Sequence, residues 1–390
     1  MKYIKRKLEK ILLQAAGQFP AIVLTGPRQT GKSTLLKHLF PDYSYITLDD
    51  IGIREIATAD PAMFVSSLKK PVIIDEIQYV PKLLSYIKIH IDNERKNGYF
   101  IITGSQIFSL MQGLGETLAG RAALFELLHF SFSEIGKIPH SPAECYKQIL
   151  KGFYPVPNTQ KTDLGTFYGS YLSTYIERDV RQIRYVQDIG SFQRFIRLLA
   201  SRAGNILNIQ SLASDCGISS ITAKKWLSIL ESSRIIYLLK PYFSNIGKRL
   251  IKSPKIYFTD TGLLAYLLRY RKTEELMAGA IAGAIFENMV VMEALKETLY
   301  NRSANDLYFY RDSNNVEADL VIDRGNSFSL YEIKASQTLQ SGFAKNLKLL
   351  SISPAEKKVL TLNETEIPIY PGITAAPWHT IIKDCSPVFS

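Results

Sequence analysis

The sequence predicts an α/β protein: a parallel sheet with helices on both faces, then a helical region, then a second α/β region. Three observations carry this. Short apolar runs at 21–25, 44–48, 71–75, 98–103 and 123–127 alternate with helical stretches, the pattern of a doubly wound unit. From 167 to 242 the apolar periodicity is helical. A long helix at 283–300, strands at 307–311, 316–323 and 328–334, a helix at 337–350 and a strand at 357–362 then follow.

Residues 1–18 interleave Lys2, Lys5, Arg6, Lys7 and Lys10 with Ile4, Leu8, Ile11 and Leu12. This reads as an amphipathic helix and not as a signal peptide, because no long apolar run follows the charges. The strand Ala21-Ile22-Val23-Leu24 leads into Gly26-Pro27-Arg28-Gln29-Thr30-Gly31-Lys32-Ser33, and a helix-forming stretch begins at Thr34. The pattern G-x-x-x-x-G-K-[ST] between strand and helix is a P-loop. Gly26 and Gly31 let the backbone curl into a concave nest, and a nest at a helix N-terminus binds phosphate. Lys32 is placed for the terminal phosphates of ATP and the Ser33 hydroxyl for Mg²⁺. The strand Pro71-Val72-Ile73-Ile74 ends in Asp75-Glu76. Asp75 is the expected second Mg²⁺ residue and Glu76 the expected general base on water. The paired acids favour a hydrolase over a small-molecule kinase. The strand Tyr99 to Thr103 ends at Gly104-Ser105-Gln106, where Ser105 is the first candidate for positioning water, with Thr103 or Gln106 as alternatives. Asp49 and Asp50 close the second strand at the same edge. Arg121, in Leu118-Ala119-Gly120-Arg121, is a candidate for γ-phosphate charge, in its own site or on a neighbouring copy in a homo-oligomer. Arg178 and Arg181 are alternatives.

The composition is that of a soluble globular chain, and 390 residues allow two or three domains. Cys145, Cys216 and Cys385 are scattered, which points away from a disulfide framework or zinc site and towards a reducing cytoplasm. Nothing approaches the length of a membrane span. A net charge of +11 and a pI near 9.3 suit an anionic partner, most simply nucleic acid.

Residues 131–157 carry several Pro and Gly and mark the first boundary. Further on, the stretch from Ile209 to Leu230 has a helix, a turn at Gly217 and a second, Ser-capped helix, a helix-turn-helix signature. Leu212, Ala213, Ile218, Ala223, Trp226, Leu227 and Leu230 form its expected core. Ser219, Ser220, Thr222, Lys224 and Lys225 are left to the surface, and Ser219, Thr222, Lys224 and Lys225 are the expected DNA contacts. Ile235 to Leu239 reads as a wing strand. From Lys224 to Lys255 there are eight Lys or Arg and one acid, Glu231, which suits phosphate contact.

At the C-terminal end, alternation puts Glu317, Asp319, Val321 and Asp323 on one strand face, and Glu332 and Lys334 on one face of the next strand. With 324–327 as the hairpin loop, Asp323 pairs with Phe328 and Asp319 with Glu332. Carboxylates ~5 Å apart repel unless a cation joins them. A hard cation, Mg²⁺ or Mn²⁺, is expected between Asp319 and Glu332, with Glu287 from the preceding helix as a further ligand. Lys334 would act on developing charge or on metal-bound water. An upstream helical Glu, an Asp, a spacer and Glu-x-Lys resemble the PD-(D/E)XK nuclease superfamily.

Taken together, the chain resembles a bacterial and archaeal AAA-type P-loop ATPase family whose C-terminal domain is of unknown function. The resemblance rests on the P-loop Gly26–Ser33 with Thr34, on Ile74-Asp75-Glu76-Ile77-Gln78, Thr103-Gly104-Ser105, Leu118–Arg121 and Tyr175-Ile176-Glu177-Arg178-Asp179. It continues through 257–263, Phe286-Glu287-Asn288, Val316–Asp319 and Glu332-Ile333-Lys334. It implies ATP and Mg²⁺ binding, with a winged helix and a nuclease-like fold in the C-terminal half. The expected domains are 1–135, the ATPase; 136–165, a linker; 166–260, a helical winged-helix domain; and 261–390, the nuclease-like domain. The expected function is an ATPase whose C-terminal half acts on or binds DNA. Its alternatives are a nucleotide-dependent DNA binder with an inactive nuclease fold and a signalling ATPase that recognises a protein.

Overall fold

The computed structural model describes residues 2–104, 118–176, 189–242, 253–312, 314–350, 352 and 354–386. The chain divides into two compact units. One is Tyr3–Phe130 with Ser232–Arg234; the other contains Ser131–Glu231 and Ile235–Ser390.

In the first unit, β1 (Ala21–Thr25), β2 (Ser44–Thr47), β3 (Val72–Asp75), β4 (Phe100–Gly104) and β5 (Ala122–Glu126) form a parallel sheet in the order β2-β3-β4-β1-β5. On one face Val23, Ile74, Phe100 and Ile102 join a core with Leu83, Leu84 and Ile87. Ile22, Leu24, Ile73 and Ile101 alternate with them and are buried as well, so both faces are covered. That double burial is why these strands read as unbroken apolar runs. The helices are α1 (Glu9–Gln18), α2 (Lys32–Leu39), α3 (Ile51–Ala59), α4 (Pro61–Ser67) and α5 (Leu83–Glu94). Asp50 acts locally, since its side chain accepts the Ile53 N–H at 3.0 Å and caps α3. Because all five strands run the same way, the C-terminal ends of β1, β3 and β4 meet at one edge.

In the second unit an eight-stranded mixed sheet runs β12-β13-β11-β10-β9-β8-β6-β7. Its strands are β6 (Ile236–Pro241), β7 (Lys255–Phe258), β8 (Asp306–Arg311), β9 (Glu317–Asp323), β10 (Phe328–Ile333), β11 (Glu356–Thr361), β12 (Ile367–Tyr370) and β13 (Ile373–Pro377). Asp323 lies opposite Phe328, and the register continues to Leu320 opposite Tyr331. The antiparallel pair β6–β7 joins this sheet through β8. One apolar core extends from Phe132 to Cys385 and includes residues of the helical region, the sheet and the long helix.

That continuity differs from the expected linker at 136–165 and from a division at 260. Helix α6 (Phe132–Ile135) is capped by Ser131 in a capping box. Helix α7 (Pro142–Lys151) buries Cys145, Tyr146 and Ile149. The residues that read as linker punctuation start and stop these helices. Pro142 stands in the first turn of α7. Gly152, just after α7, has φ 74°, and a Cβ there would meet the Tyr168 hydroxyl and the Asp260 carboxylate. Tyr168 lies on α8 (Leu164–Tyr171), and Asp260 caps α12 (Thr261–Leu267). Asp260 accepts the N–H groups of Phe153 (2.6 Å) and Leu263 (2.8 Å) and the Tyr168 hydroxyl (3.0 Å).

Between α8 and β6 lie α9 (Ile189–Ala200), α10 (Ile209–Cys216) and α11 (Ser220–Ser232). Gly217, at φ 69°, turns the chain between α10 and α11. Trp226 packs edge-on against Phe192 and Phe195. Helix α13 (Ala282–Asn301) carries buried Glu293 and Glu297, which accept from Phe132 N (2.7 Å) and Ser133 Oγ (2.6 Å). Among the described residues no helix is long and apolar enough to cross a membrane.

Candidate functional site

The P-loop leaves β1 at Thr25. Gly26 takes φ 142°, and a side chain there would run into the Leu127 carbonyl. Gly31, at φ 89°, opens α2. Thr30 is buried and donates its hydroxyl to Pro27 O at 2.9 Å, which braces the loop. Lys32 is the first residue of α2, and its ammonium donates to the loop carbonyls of Gly26 and Pro27, both at 2.8 Å. Burial lowers the Lys32 pKa, while Glu76 and Asp75 act against that. Arg28 and Gln29 stand half-buried on the loop and Thr34 is exposed on α2. Arg6 also serves this loop: it is buried and donates to Thr30 O (2.9 Å) and Leu128 O (2.8 Å). Helix α1 begins only at Glu9, so Arg6 is not part of a basic amphipathic face. A lone Arg among four lysines carried no signal of that role.

Asp75, at the end of β3, is buried and gathers hydroxyls. Its Oδ2 accepts from Ser33 Oγ at 2.8 Å and from the Tyr45 hydroxyl, and its Oδ1 accepts from Thr103 Oγ1. Glu76 takes φ 61°, which turns the chain at the strand end. Its N–H donates to Thr103 Oγ1 at 3.2 Å, and its carboxylate accepts from Gln78 Nε2. Thr103 therefore stands beside both acids, whereas Ser105 and Gln106 lie outside the described residues. Tyr45 and Gln78 complete the cluster, and burial followed by Asp75 raises the Tyr45 pKa well above its usual value. This donor set fits a nucleotide and Mg²⁺: a glycine-shaped loop at a helix N-terminus, a lysine resting on the loop's own carbonyls, and a hydroxyl–carboxylate pair. Ser33 and Asp75 are the residues that would hold Mg²⁺.

Arg121 does not reach this edge. It precedes β5, whose first residue, Ala122, lies opposite Ala21 at the start of β1. A strand of this length puts it about 15 Å along the sheet from the P-loop. There it pairs with Asp92, Nε to Oδ1 at 2.5 Å and Nη2 to Oδ2 at 3.1 Å. A γ-phosphate role in its own subunit is thus corrected. Arg178 and Arg181 lie outside the described residues.

In the second unit, Ser219, Ile221, Lys224, Lys225 and Ser228 are exposed along α11, and Thr222 is half-buried. Ser219 Oγ accepts the Thr222 N–H at 3.1 Å and caps the helix, so its first role is local. The count of basic residues along 224–255 overstates the charge presented to solvent. Lys255 is buried, Arg234 pairs with Glu126 (2.5 Å), and Lys248, Arg249 and Lys252 lie outside the described residues.

The expected nuclease residues do come together, but with a lysine among them. Lys255, on β7, places its ammonium 2.5 Å from Glu317 Oε1, 3.1 Å from Asp319 Oδ1 and 3.3 Å from Glu287 Oε1. Tyr257 donates to the same Glu287 oxygen at 2.7 Å, and Asp319 Oδ2 accepts the Ile333 N–H at 2.9 Å. Glu332 sits one step beyond the paired residues of β9 and β10 and accepts from Lys334 Nζ at 2.6 Å. Burial first and Asp319 second push both Glu287 and Glu332 up to about 7, with Lys255 acting against this at Glu287 and Lys334 at Glu332. Burial acts to lower Lys255, yet Tyr257 and the three carboxylates hold it well above the ordinary ammonium range. Among the described residues no group of three or more His, Cys, Asp or Glu side chains is disposed to hold a metal ion. Where a second Mg²⁺ or Mn²⁺ was expected, the cation that stands among Glu287, Glu317 and Asp319 is the Lys255 ammonium. Lys255 gave no signal as a site residue, and Tyr257 entered only through the 257–263 stretch of the family resemblance, because both precede Glu287 on a strand outside the nuclease-like motif.

Comparison with known proteins agrees with the N-terminal chemistry. Residues 18–136 match the family model described as "AAA domain". The chain carries an AAA-type P-loop ATPase domain. Beyond this AAA domain, residues 143–274 and 282–381 match two models, each described as a domain of unknown function (DUF8612 and DUF4143). An uncharacterised protein of Mycobacterium tuberculosis is 29% identical over 374 residues, 95% of this chain and 83% of the relative. An uncharacterised protein of Methanocaldococcus jannaschii is 23% identical over 343 residues, 74% of this chain and 70% of that one. A Walker-type ATPase of Pyrococcus abyssi aligns with a TM-score of 0.45 and 16% identity, over 68% of this chain and 96% of that one.

Proposed function

We propose that the chain is a nucleotide-controlled DNA-binding ATPase, in which the AAA domain hydrolyses ATP and α11 contacts duplex DNA. The observation that carries the DNA assignment is the outer face of α11, where Ser219, Lys224, Lys225 and Ser228 are exposed on the second helix of a helix-turn-helix. The surrounding order supports a winged helix. Helix α9 comes first; Ile206 then bridges Lys255; α10 and α11 follow; and the antiparallel pair β6–β7 closes the motif. Two adjacent lysines and short hydroxyls on such a helix suit phosphate oxygens and groove edges.

In the AAA domain, Lys32 would exchange the carbonyls of Gly26 and Pro27 for phosphate oxygens. Ser33 and Asp75 would hold Mg²⁺, which when bound neutralises phosphate charge. Glu76 would take the proton of the attacking water, with Thr103 fixing Asp75 and the Glu76 main chain, and Gln78 orienting the Glu76 carboxylate.

A test is anisotropy of labelled duplex DNA over a salt series. A Lys224→Glu, Lys225→Glu variant should lose affinity and flatten the log–log salt slope by roughly 0.9 for each phosphate no longer neutralised. An unchanged slope would remove α11 from the interface. One observation favours a second reading, a protein partner: Ile221 is 69% exposed on the same face. Under that reading, Ile221→Ser abolishes partner capture, and the Lys224→Glu, Lys225→Glu variant leaves the salt slope of DNA binding unchanged.

A further inference from the structure

The nuclease-like arrangement of α13, β8, β9 and β10 implies a divalent cation among Glu287, Asp319 and Glu332. We infer that Lys255 is a built-in replacement for that ion, so that the carboxylate cluster takes no divalent metal and does not cut DNA through metal-activated water.

The geometry is that of a filled cation site. An ammonium offers three N–H donors, and Lys255 has three carboxylates, Glu317, Asp319 and Glu287, at 2.5, 3.1 and 3.3 Å. The carboxylates that face it carry further bonds. Glu287 Oε1 also accepts from Tyr257 at 2.7 Å. The second oxygen of Asp319 is bonded to Ile333 N at 2.9 Å. The second oxygen of Glu317 lies 3.4 Å from Arg311 Nη1. Glu332 is turned to a different lysine, Lys334, at 2.6 Å.

Nor is Lys255 a surface side chain that has wandered in. It is 3% exposed, and its backbone is fixed on both sides, opposite Leu239 in β6 and in a bridge to Ile206. For a divalent ion to enter, this ammonium would have to leave its partners within a buried site, and a buried charge stripped of its partners is strongly disfavoured. The lysine supplies one positive charge where Mg²⁺ would supply two, and Arg311 beside Glu317 and Lys334 beside Glu332 add one each. Four carboxylates thus face three cations supplied by the chain itself, whether or not α11 touches DNA.

The test is Mn²⁺ binding to the full chain without nucleotide, read by the loss of the free-ion electron paramagnetic resonance signal and by thermal unfolding with and without millimolar Mn²⁺. Wild type and Asp319→Asn should bind the same amount of Mn²⁺, and Mn²⁺ should shift their midpoints equally, because any ion taken by Ser33 and Asp75 is common to both. Lys255→Met should gain one Mn²⁺ and a Mn²⁺-dependent rise in midpoint, and Lys255→Met, Asp319→Asn should lose both. One additional Mn²⁺ in wild type that disappears in Asp319→Asn would overturn the inference. So would a folded Lys255→Met that gains no ion. Should Lys255→Met fail to fold without metal, recovery on adding Mn²⁺ supports the inference. If it fails in either condition, the comparison of wild type with Asp319→Asn decides alone.

Discussion

Asp260 is the place where the structure departs furthest from a linker-and-two-domain plan, and its removal has a size that can be worked out. The carboxylate is fully buried and holds three donors: Phe153 N at the end of α7, Leu263 N in the first turn of α12, and the Tyr168 hydroxyl on α8. In Asp260→Ala the helix cap is lost, costing about 1 kcal/mol. Two further charge-assisted bonds go, at about 1.5–3 kcal/mol each. Against this, burial raises the Asp260 pKa even though its hydrogen bonds lower it, so the native carboxylate carries a desolvation cost that alanine removes. The net loss should be about 3–5 kcal/mol, at the upper end for a single substitution. Urea unfolding followed by tryptophan fluorescence reads this cleanly, because the chain's two tryptophans, Trp226 and Trp378, both lie in the core of the second unit. Asp163→Ala is the control. It removes an exposed cap that accepts the Thr166 N–H at 2.7 Å and should cost about 1 kcal/mol. If Asp260→Ala cost no more than the control, 142–171 would not be part of that core and the reasoning would fail.

Other outcomes follow from the same geometry. Lys32→Ala should abolish binding of a fluorescent ATP analogue, whereas Glu76→Gln should keep it and lower phosphate release about 10²–10⁴-fold; equal turnover in Glu76→Gln and wild type removes Glu76 as the base. Thr103→Val deletes the hydroxyl between Asp75 and the Glu76 main chain, so turnover should fall about ten- to a hundredfold with analogue binding kept. Glu287 and Glu332, each at about 7 against an ordinary 4.5, take up protons on folding between those values, so the second unit should gain stability as pH falls through that window. Glu332→Gln should flatten that dependence in urea midpoints measured on either side of it, and an unchanged slope would mean the carboxylate titrates normally.

Much of this was legible in the chain. The three central strands of the AAA domain, β1, β3 and β4, are buried on both faces, so they read as apolar runs, and the loop glycines and terminal acids stand at fixed offsets from them. The β9–β10 register was readable because a four-residue hairpin loop pairs Asp323 with Phe328. Other features were not. Lys255 looks like one more basic residue until folding brings β7 to the carboxylates, and no local pattern distinguishes a buried lysine from a solvated one. Arg121 matches a motif whose strand end faces away from the P-loop, a direction that only the β1–β5 register reveals. Proline and glycine at 142–157 punctuate short helices as readily as they punctuate linkers, and the buried faces of those helices are too short to show a clear period.

The most direct test of the central claim is DNA affinity of the Glu76→Gln protein, measured by anisotropy with Mg²⁺ and either ATP or no nucleotide. ATP should change the dissociation constant, and adding Lys32→Ala should erase the difference. Equal affinity with and without ATP, under conditions where the fluorescent analogue shows the nucleotide site filled, would contradict nucleotide control of DNA binding.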